Sequence, residues 1–212
     1  MTKFNTDDIA ILENIILSRR DVRGNRFINK EVEEEDIEKI LFAGVNAPSV
    51  GFSQPWEFVI IKSNEIRNKI KESFFEENEK AKKQFETSKA NEYSQLKLEG
   101  ITESALNIAV FYKPSDRPVL GQTSMEEAGV YSVVCAIQNM WLMARALNIG
   151  LGWVSILDPE KVKTILKAPA DRQLIGYLCL GHVDLFYESP ELEKLKWEKR
   201  KRLEQVVINN SY

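Results

Sequence analysis

A chain of 212 residues that is 43% hydrophobic and 29% charged has the balance of an ordinary soluble globular protein, long enough for one sizeable core. Its formal net charge of −3 offers no overall attraction to nucleic acid or to an anionic membrane, so any cationic cluster must act locally. The polar N-terminus, MTKFNTDDIA, lacks the apolar core of a signal peptide, and no run is long and uncharged enough to span a bilayer; these features predict a single cytoplasmic domain with neither nucleic acid nor membrane as partner.

The first predicted helix starts at Thr6, with Thr6 as cap, Asp7 and Asp8 in the first turn, and Ile9, Leu12, Ile15 and Ile16 on one face. It leads into Ser18-Arg19-Arg20-Asp21-Val22-Arg23, which sets three guanidinium groups and one carboxylate within five residues. Three planar donor forks can cradle a phosphate dianion, while Asp21 can orient an arginine or accept a proton. A solvated helix end with an internal ion pair is the competing reading. A second helix is predicted from about Glu33 to Val45, with Ile37, Ile40, Leu41 and Gly44 inward. Residues 47–56, Ala-Pro-Ser-Val-Gly-Phe-Ser-Gln-Pro-Trp, hold two prolines, a glycine and two aromatics. That composition reads either as a rigid loop shaped against a flat group or as a stiffened turn before the strand Glu57 to Ile61.

From Ser63 a helix presents Ile66, Ile70 and Phe74, and its apolar face runs out at Glu76. The charged stretch that follows, about 76–96, is either a solvated excursion or a lid over a site. Leu106 to Tyr112 reads as a second strand. Met125 to Asn148 reads as one long helix apolar nearly all round, which must be buried in a core shared with a second subunit or in one large core. Gly150 to Ile156 turns into a strand, Asp158-Pro159 opens a short helix, and Leu174 to Gly181 is the last buried strand. Cys135 and Cys179 both lie in apolar runs and are expected as buried free thiols. His182 follows Cys179 at a spacing that sends the two side chains to opposite faces of a strand, so no metal site is expected. The C-terminal segment, with Arg200 among several lysines and arginines, reads as a solvated tail or as an arm around a neighbour.

The arginine run at 19–23, the loop at 47–56 and Gly-Leu-Gly-Trp-Val-Ser at 150–155 resemble, in content and order, the flavin-dependent nitroreductase family. Leu-Lys-Leu-Glu-Gly-Ile at 96–101 and Tyr-Leu-Cys-Leu-Gly at 177–181 extend the resemblance over nearly the whole chain. Asp21, third in the arginine run, is similar to the branch of that family that consumes flavin to make dimethylbenzimidazole. The resemblance implies an α+β, nitroreductase-like fold, a mixed sheet flanked by helices, in an intertwined homodimer. Residues 1–212 would be a single FMN-binding domain with a lid at about 76–96. It implies that Arg19, Arg20 and Arg23 hold the phosphate and the electron-rich edge of FMN, with Asp21 and Val22 in the same site. Ser49 would reach the flavin from the partner chain, Leu98 would cover it, Ser155 would lie against its ring, and Arg200 would complete the phosphate site. Asp21 and Ser155 would be the catalytic pair. The implied reaction is oxygen-dependent fragmentation of reduced FMN to 5,6-dimethylbenzimidazole, the lower ligand of cobalamin, and erythrose 4-phosphate. Flavin is then substrate as well as cofactor, dioxygen is co-substrate, and a separate flavin reductase supplies the reduced form. An NAD(P)H-dependent nitroreductase or flavin reductase on the same site is the alternative enzyme, and a non-catalytic flavin-binding protein is the alternative of another class.

Overall fold

The computed structural model describes residues 3–212. Four strands, β1 (Trp56–Ile61), β2 (Leu106–Tyr112), β3 (Gly150–Val154) and β4 (Gln173–Gly181), make one sheet in the order β1-β2-β4-β3. Every strand ladder is antiparallel. The mixed character expected of the sheet is confined to one parallel bridge, Asp21 to Leu151, on the edge of β3.

Alternation along the strands sends side chains to two covered faces. Ile108, Val110, Leu178 and Leu180 pack with helices α2 (Glu34–Val45) and α5 (Ala128–Ala146), whereas Ala109, Phe111, Tyr177 and Cys179 pack with α3 (Asn64–Lys82) and α6 (Pro159–Leu166). Each fully buried Ile or Leu contributes about 1.5–3 kcal/mol of apolar transfer, so the two faces together anchor the central strands. The caps follow short-range rules: Ser63 accepts from the Ile66 amide at the start of α3, and Asp158 accepts from the amides of Glu160 and Lys161 at the start of α6.

Several expectations shift. Helix α1 (Thr6–Ser18) is capped by Asn5 rather than Thr6. The Asn5 Oδ1 reaches the amides of Asp7 and Asp8 while the Asp8 carboxylate returns to the Asn5 amide, a reciprocal capping box. None of its residues is buried within the protomer. Helix α3 continues to Lys82, past the point where its apolar face ends, and is followed by α4 (Thr87–Gln95). The long helix is shorter than expected, and its buried stripe is Gly129, Ser132, Val133, Ala136, Ile137, Met140 and Ala144. The expected burial of Cys135 does not hold in the protomer: it lies on the other side of α5, exposed beside Tyr131 and Val134. Cys179 is the buried thiol, and burial pushes its pKa up to about 12.

The edge of β3 fixes the position of the arginine turn. The Val22 amide donates to the Leu151 carbonyl at 3.1 Å, and a Cβ at Gly152 would land on the Val22 carbonyl oxygen. Only a residue without a side chain lets the two backbones meet there. Gly152→Ala should therefore cost on the order of 1–3 kcal/mol through overpacking, measured as a lowered denaturant midpoint. An unchanged midpoint would mean that the bridge is not held this tightly.

Candidate functional site

The last carbonyls of α1 have no partners within the helix, and side chains supply them. The Arg20 guanidinium donates to the carbonyls of Leu17 and Arg19, each at 2.7 Å. From α5, the Arg145 Nε donates to the Ser18 carbonyl at 3.0 Å and the Trp141 indole N–H donates to the Arg20 carbonyl at 3.1 Å. The turn after α1 is thus held from both sides, and its side chains leave in fixed directions.

The three arginines have different environments. Arg20 also donates to the carbonyls of Tyr187 and Glu188, tying the chain after β4 to the turn. Burial, reinforced by the nearby charges of Arg19, Arg200 and Arg145, lowers its pKa from the ordinary value. Arg23 donates to the carbonyls of Leu98 (3.1 Å) and Trp153 (3.2 Å) and pairs with the Asp21 carboxylate. Arg19 lies with its guanidinium carbon 4.6 Å from the centre of the Trp141 ring, and among the described residues its guanidinium has no hydrogen-bond acceptor.

Asp21 stands between these groups. One carboxylate oxygen accepts from the Trp153 amide at 3.1 Å and the other meets Arg23, while about a third of the side chain, 35%, remains open. Packing against protein raises its pKa above the ordinary 3.8, and Arg23, the Trp153 amide and Arg19 oppose that rise without cancelling it.

Arg19, Arg20, Asp21 and Arg23 form one wall of a cleft of about 140 Å³. Leu96, Lys97 and Leu98 form a second wall, and the segment Pro190, Glu191, Leu192 and Leu195, around the short helix α7 (Glu191–Lys194), forms a third. The donor chemistry suits a phosphorylated, partly apolar ligand such as FMN, with a cationic end and leucine sides. Its volume is smaller than the roughly 300–1,000 Å³ of pockets that enclose ligands of that size.

The second wall is stiffened from behind. Glu99 is nearly fully buried, and its carboxylate lies 3.0 Å from the Lys97 ammonium and 3.7 Å from that of Lys71, while accepting from the Ile101 amide at 2.7 Å. Burial works against ionisation of Glu103, but the ammonium groups of Lys71 and Lys97 overcome it and hold its pKa at about 2. The Gly24 amide donates to the Glu99 carbonyl at 2.7 Å, joining this segment to the arginine turn.

Of the residues expected in the site, the cleft gathers Arg19, Arg20, Asp21, Arg23 and Leu98. Val22 turns its side chain into the core at 4% exposure. Ser155 is exposed just beyond β3, and Arg200 is exposed on the tail, close enough to act on the charge of Arg20. Ser49 lies in the proline loop, its hydroxyl accepting from the Gln54 amide at 3.1 Å. None of these four lines the cleft of the protomer. Conversely, Leu96 and Lys97 line the cleft beside Leu98, and the segment Pro190 to Leu195, expected as part of a tail or an arm, forms a wall. The apolar spacing of Leu192 and Leu195 was its available signal. The charged region at about 76–96 is anchored: Phe85, Tyr93 and Trp197 form an aromatic cluster with centroids 5.2–6.3 Å apart, and the Lys89 ammonium lies 4.4 Å from the Trp197 ring.

A helix-covered sheet whose edge presents a basic, leucine-walled cleft has the chemistry to suit a phosphorylated, partly apolar ligand. Residues 16–182 match the Nitroreductase family, and the chain belongs to that family. It is 40% identical over 192 residues to the 5,6-dimethylbenzimidazole synthase of Rhodospirillum rubrum, covering 90% of each chain. It is 34% identical over 190 residues to a 5,6-dimethylbenzimidazole synthase of Rhodobacter capsulatus, covering 89% of this chain and 91% of the other. The crystal structure of a BluB-like flavoprotein from Clostridium difficile 630 superposes with a TM-score of 0.71 at 22% identity, over 94% of this chain and 99% of that one. Among the described residues, no helix is long and apolar enough to cross a membrane.

Proposed function

We propose that this chain fragments reduced FMN with dioxygen, yielding 5,6-dimethylbenzimidazole and erythrose 4-phosphate. The observation that carries the reading is Asp21, a carboxylate at the cleft wall held by the Trp153 amide and Arg23, with its pKa raised by packing. The similarity to dimethylbenzimidazole synthases over nine tenths of the chain supports it. Reduced FMN, when bound, supplies both the carbon skeleton of the product and the electrons taken up by dioxygen.

The protein's own residues then have separate tasks. Arg19, whose guanidinium has no acceptor among the described residues, takes the phosphate, with Arg200 as a second cation beside Arg20. Arg20 fixes the wall that closes over the ligand. Arg23 would face the electron-rich edge of the flavin while its charge opposes the rise in the Asp21 pKa. Asp21 accepts the proton that must leave the ribityl carbon destined for the imidazole ring. Val22 contributes backbone alone, since its side chain is buried. Leu98 would cover the ring and Ser155 would meet it from the end of β3. The leucine walls and the segment at about 76–96 exclude bulk water from the reacting flavin.

In this reading residues 1–212 act as one FMN-binding domain, and the site is completed by a second copy. Helix α1 leaves Ile9, Ile11, Leu12, Ile16 and Leu17 exposed, and β1 leaves Val59 and Ile60 exposed, an apolar area that a homodimer would cover. Ser49 would enter the neighbouring site across that interface. A separate flavin reductase supplies the substrate, and the setting is the cytoplasm. The test is product analysis: purified protein with chemically reduced FMN and air should release dimethylbenzimidazole. Rapid NAD(P)H turnover without that product would establish the nitroreductase alternative, and binding without either would leave a flavin carrier.

A further inference from the structure

Trp141 is on α5, outside every motif of the arginine turn, yet it meets that turn twice. Its indole N–H donates to the Arg20 carbonyl at 3.1 Å, and its ring face lies 4.6 Å from the guanidinium carbon of Arg19. Its own position is fixed by packing against the core beneath α2 and α5 and by Trp153, whose ring centre is 6.4 Å away and whose amide holds Asp21. One turn further along α5, Arg145 holds the Ser18 carbonyl.

A guanidinium stacked on an aromatic ring uses its face for that contact and keeps its N–H edges, which lie in its plane, for hydrogen bonds. Arg20 and Arg23 direct N–H groups at protein carbonyls, whereas Arg19 alone among the three has no protein acceptor among the described residues. An unheld arginine would lose several rotamers' worth of freedom on meeting a phosphate, and one already held over a ring has lost part of it.

We propose that Trp141 is the positioning residue for phosphate capture: it clamps the backbone of the turn through its N–H and presents the edge of Arg19 to the phosphate of FMN through its ring. The inference rests on the reading that Arg19 meets that phosphate. It concerns binding, so it stands or falls independently of whether the bound flavin is fragmented.

The test compares dissociation constants for FMN and riboflavin, which lacks the phosphate, by flavin fluorescence quenching in wild type, Trp141→Phe, Trp141→Leu, Arg19→Ala and the Arg19→Ala/Trp141→Leu pair. Trp141→Leu should weaken FMN binding roughly three- to tenfold, the scale of a partly desolvated cation–π contact, while riboflavin changes less than about twofold. Trp141→Phe keeps a ring face and a folded core, so it should retain part of the preference for FMN. In the Arg19→Ala background, Trp141→Leu should weaken FMN binding no more than it weakens riboflavin binding, because the group it positions is gone. Equal losses for the two ligands, or full additivity of the two substitutions, would overturn the role of Trp141 while leaving Arg19 in the site. An unchanged FMN affinity in Arg19→Ala would overturn both, by removing the phosphate contact itself.

Discussion

Asp21→Asn is expected to bind reduced FMN almost as wild type does and to form little or no dimethylbenzimidazole, a fall on the order of 10²–10⁴-fold for loss of a positioned base. The amide is nearly isosteric with the carboxylate. Its oxygen can still accept from the Trp153 amide, while its NH2 group then faces the Arg23 guanidinium, donor against donor. Arg23 retains the Leu98 and Trp153 carbonyls as acceptors, so the wall survives the loss of one partner. An amide cannot take a proton, so the reaction should fail although the flavin is bound. If Asp21 served only to orient the arginines, saturating reduced FMN would restore product. Measuring dimethylbenzimidazole yield across FMN concentrations separates the two, and near wild-type yield at saturation would exclude Asp21 as base.

The elements and the turn were legible in the sequence because each rests on short-range rules. Asp158-Pro159 and Ser63 start helices by local hydrogen bonding, and the apolar run Leu106 to Tyr112 matches a strand covered on both sides. The density of arginines around Asp21 drew attention to the turn that lines the cleft, since few solvated turns need it. What escaped depends on long-range placement. The role of Trp141 arises because α5 passes under the end of α1, more than a hundred residues earlier in the chain, and apolar periodicity shows an inward tryptophan without showing what its N–H meets. The Pro190 to Leu195 wall escaped because its apolar residues are sparse and the residues that line the cleft with it, Arg19, Arg20, Asp21, Arg23 and Leu96 to Leu98, are far away in sequence. Cys135 is exposed because a helix with apolar residues on several sides leaves some of them off its buried stripe. Gly51, at φ 54°, lies where a Cβ would come within 2.6 Å of the Leu120 carbonyl oxygen, and Phe52 and Gln54 share its left-handed conformation. Backbone held this way belongs to a rigid, shaped loop, as two prolines and a glycine suggest.

Arg23→Ala should weaken FMN binding roughly ten- to a hundredfold, the equivalent of losing about 1.5–3 kcal/mol of charge-assisted hydrogen bonding, and should also displace the pH profile. Its guanidinium joins the carbonyl of Leu98 on one wall, the carbonyl of Trp153 on β3 and the carboxylate of Asp21. Removing it loosens the wall and withdraws the cation nearest that carboxylate. The direction of the pH change follows from what acts on Asp21. Burial raises its pKa and the charge of Arg23 is the largest influence opposing that rise, so without Arg23 the pKa climbs further. Because the base must be ionised, product formation in wild type should fall as pH drops through a value above the ordinary 3.8 of an aspartate. In Arg23→Ala, at FMN concentrations high enough to offset the weaker binding, that acid limb should move to higher pH. The rate of dimethylbenzimidazole formation across an acid-to-neutral pH series at saturating reduced FMN reads both effects. An acid limb that stays in place while affinity falls would show that Arg23 binds flavin without governing the charge of Asp21. An unchanged affinity would place Arg23 outside the flavin's reach and leave it as a brace between the two walls.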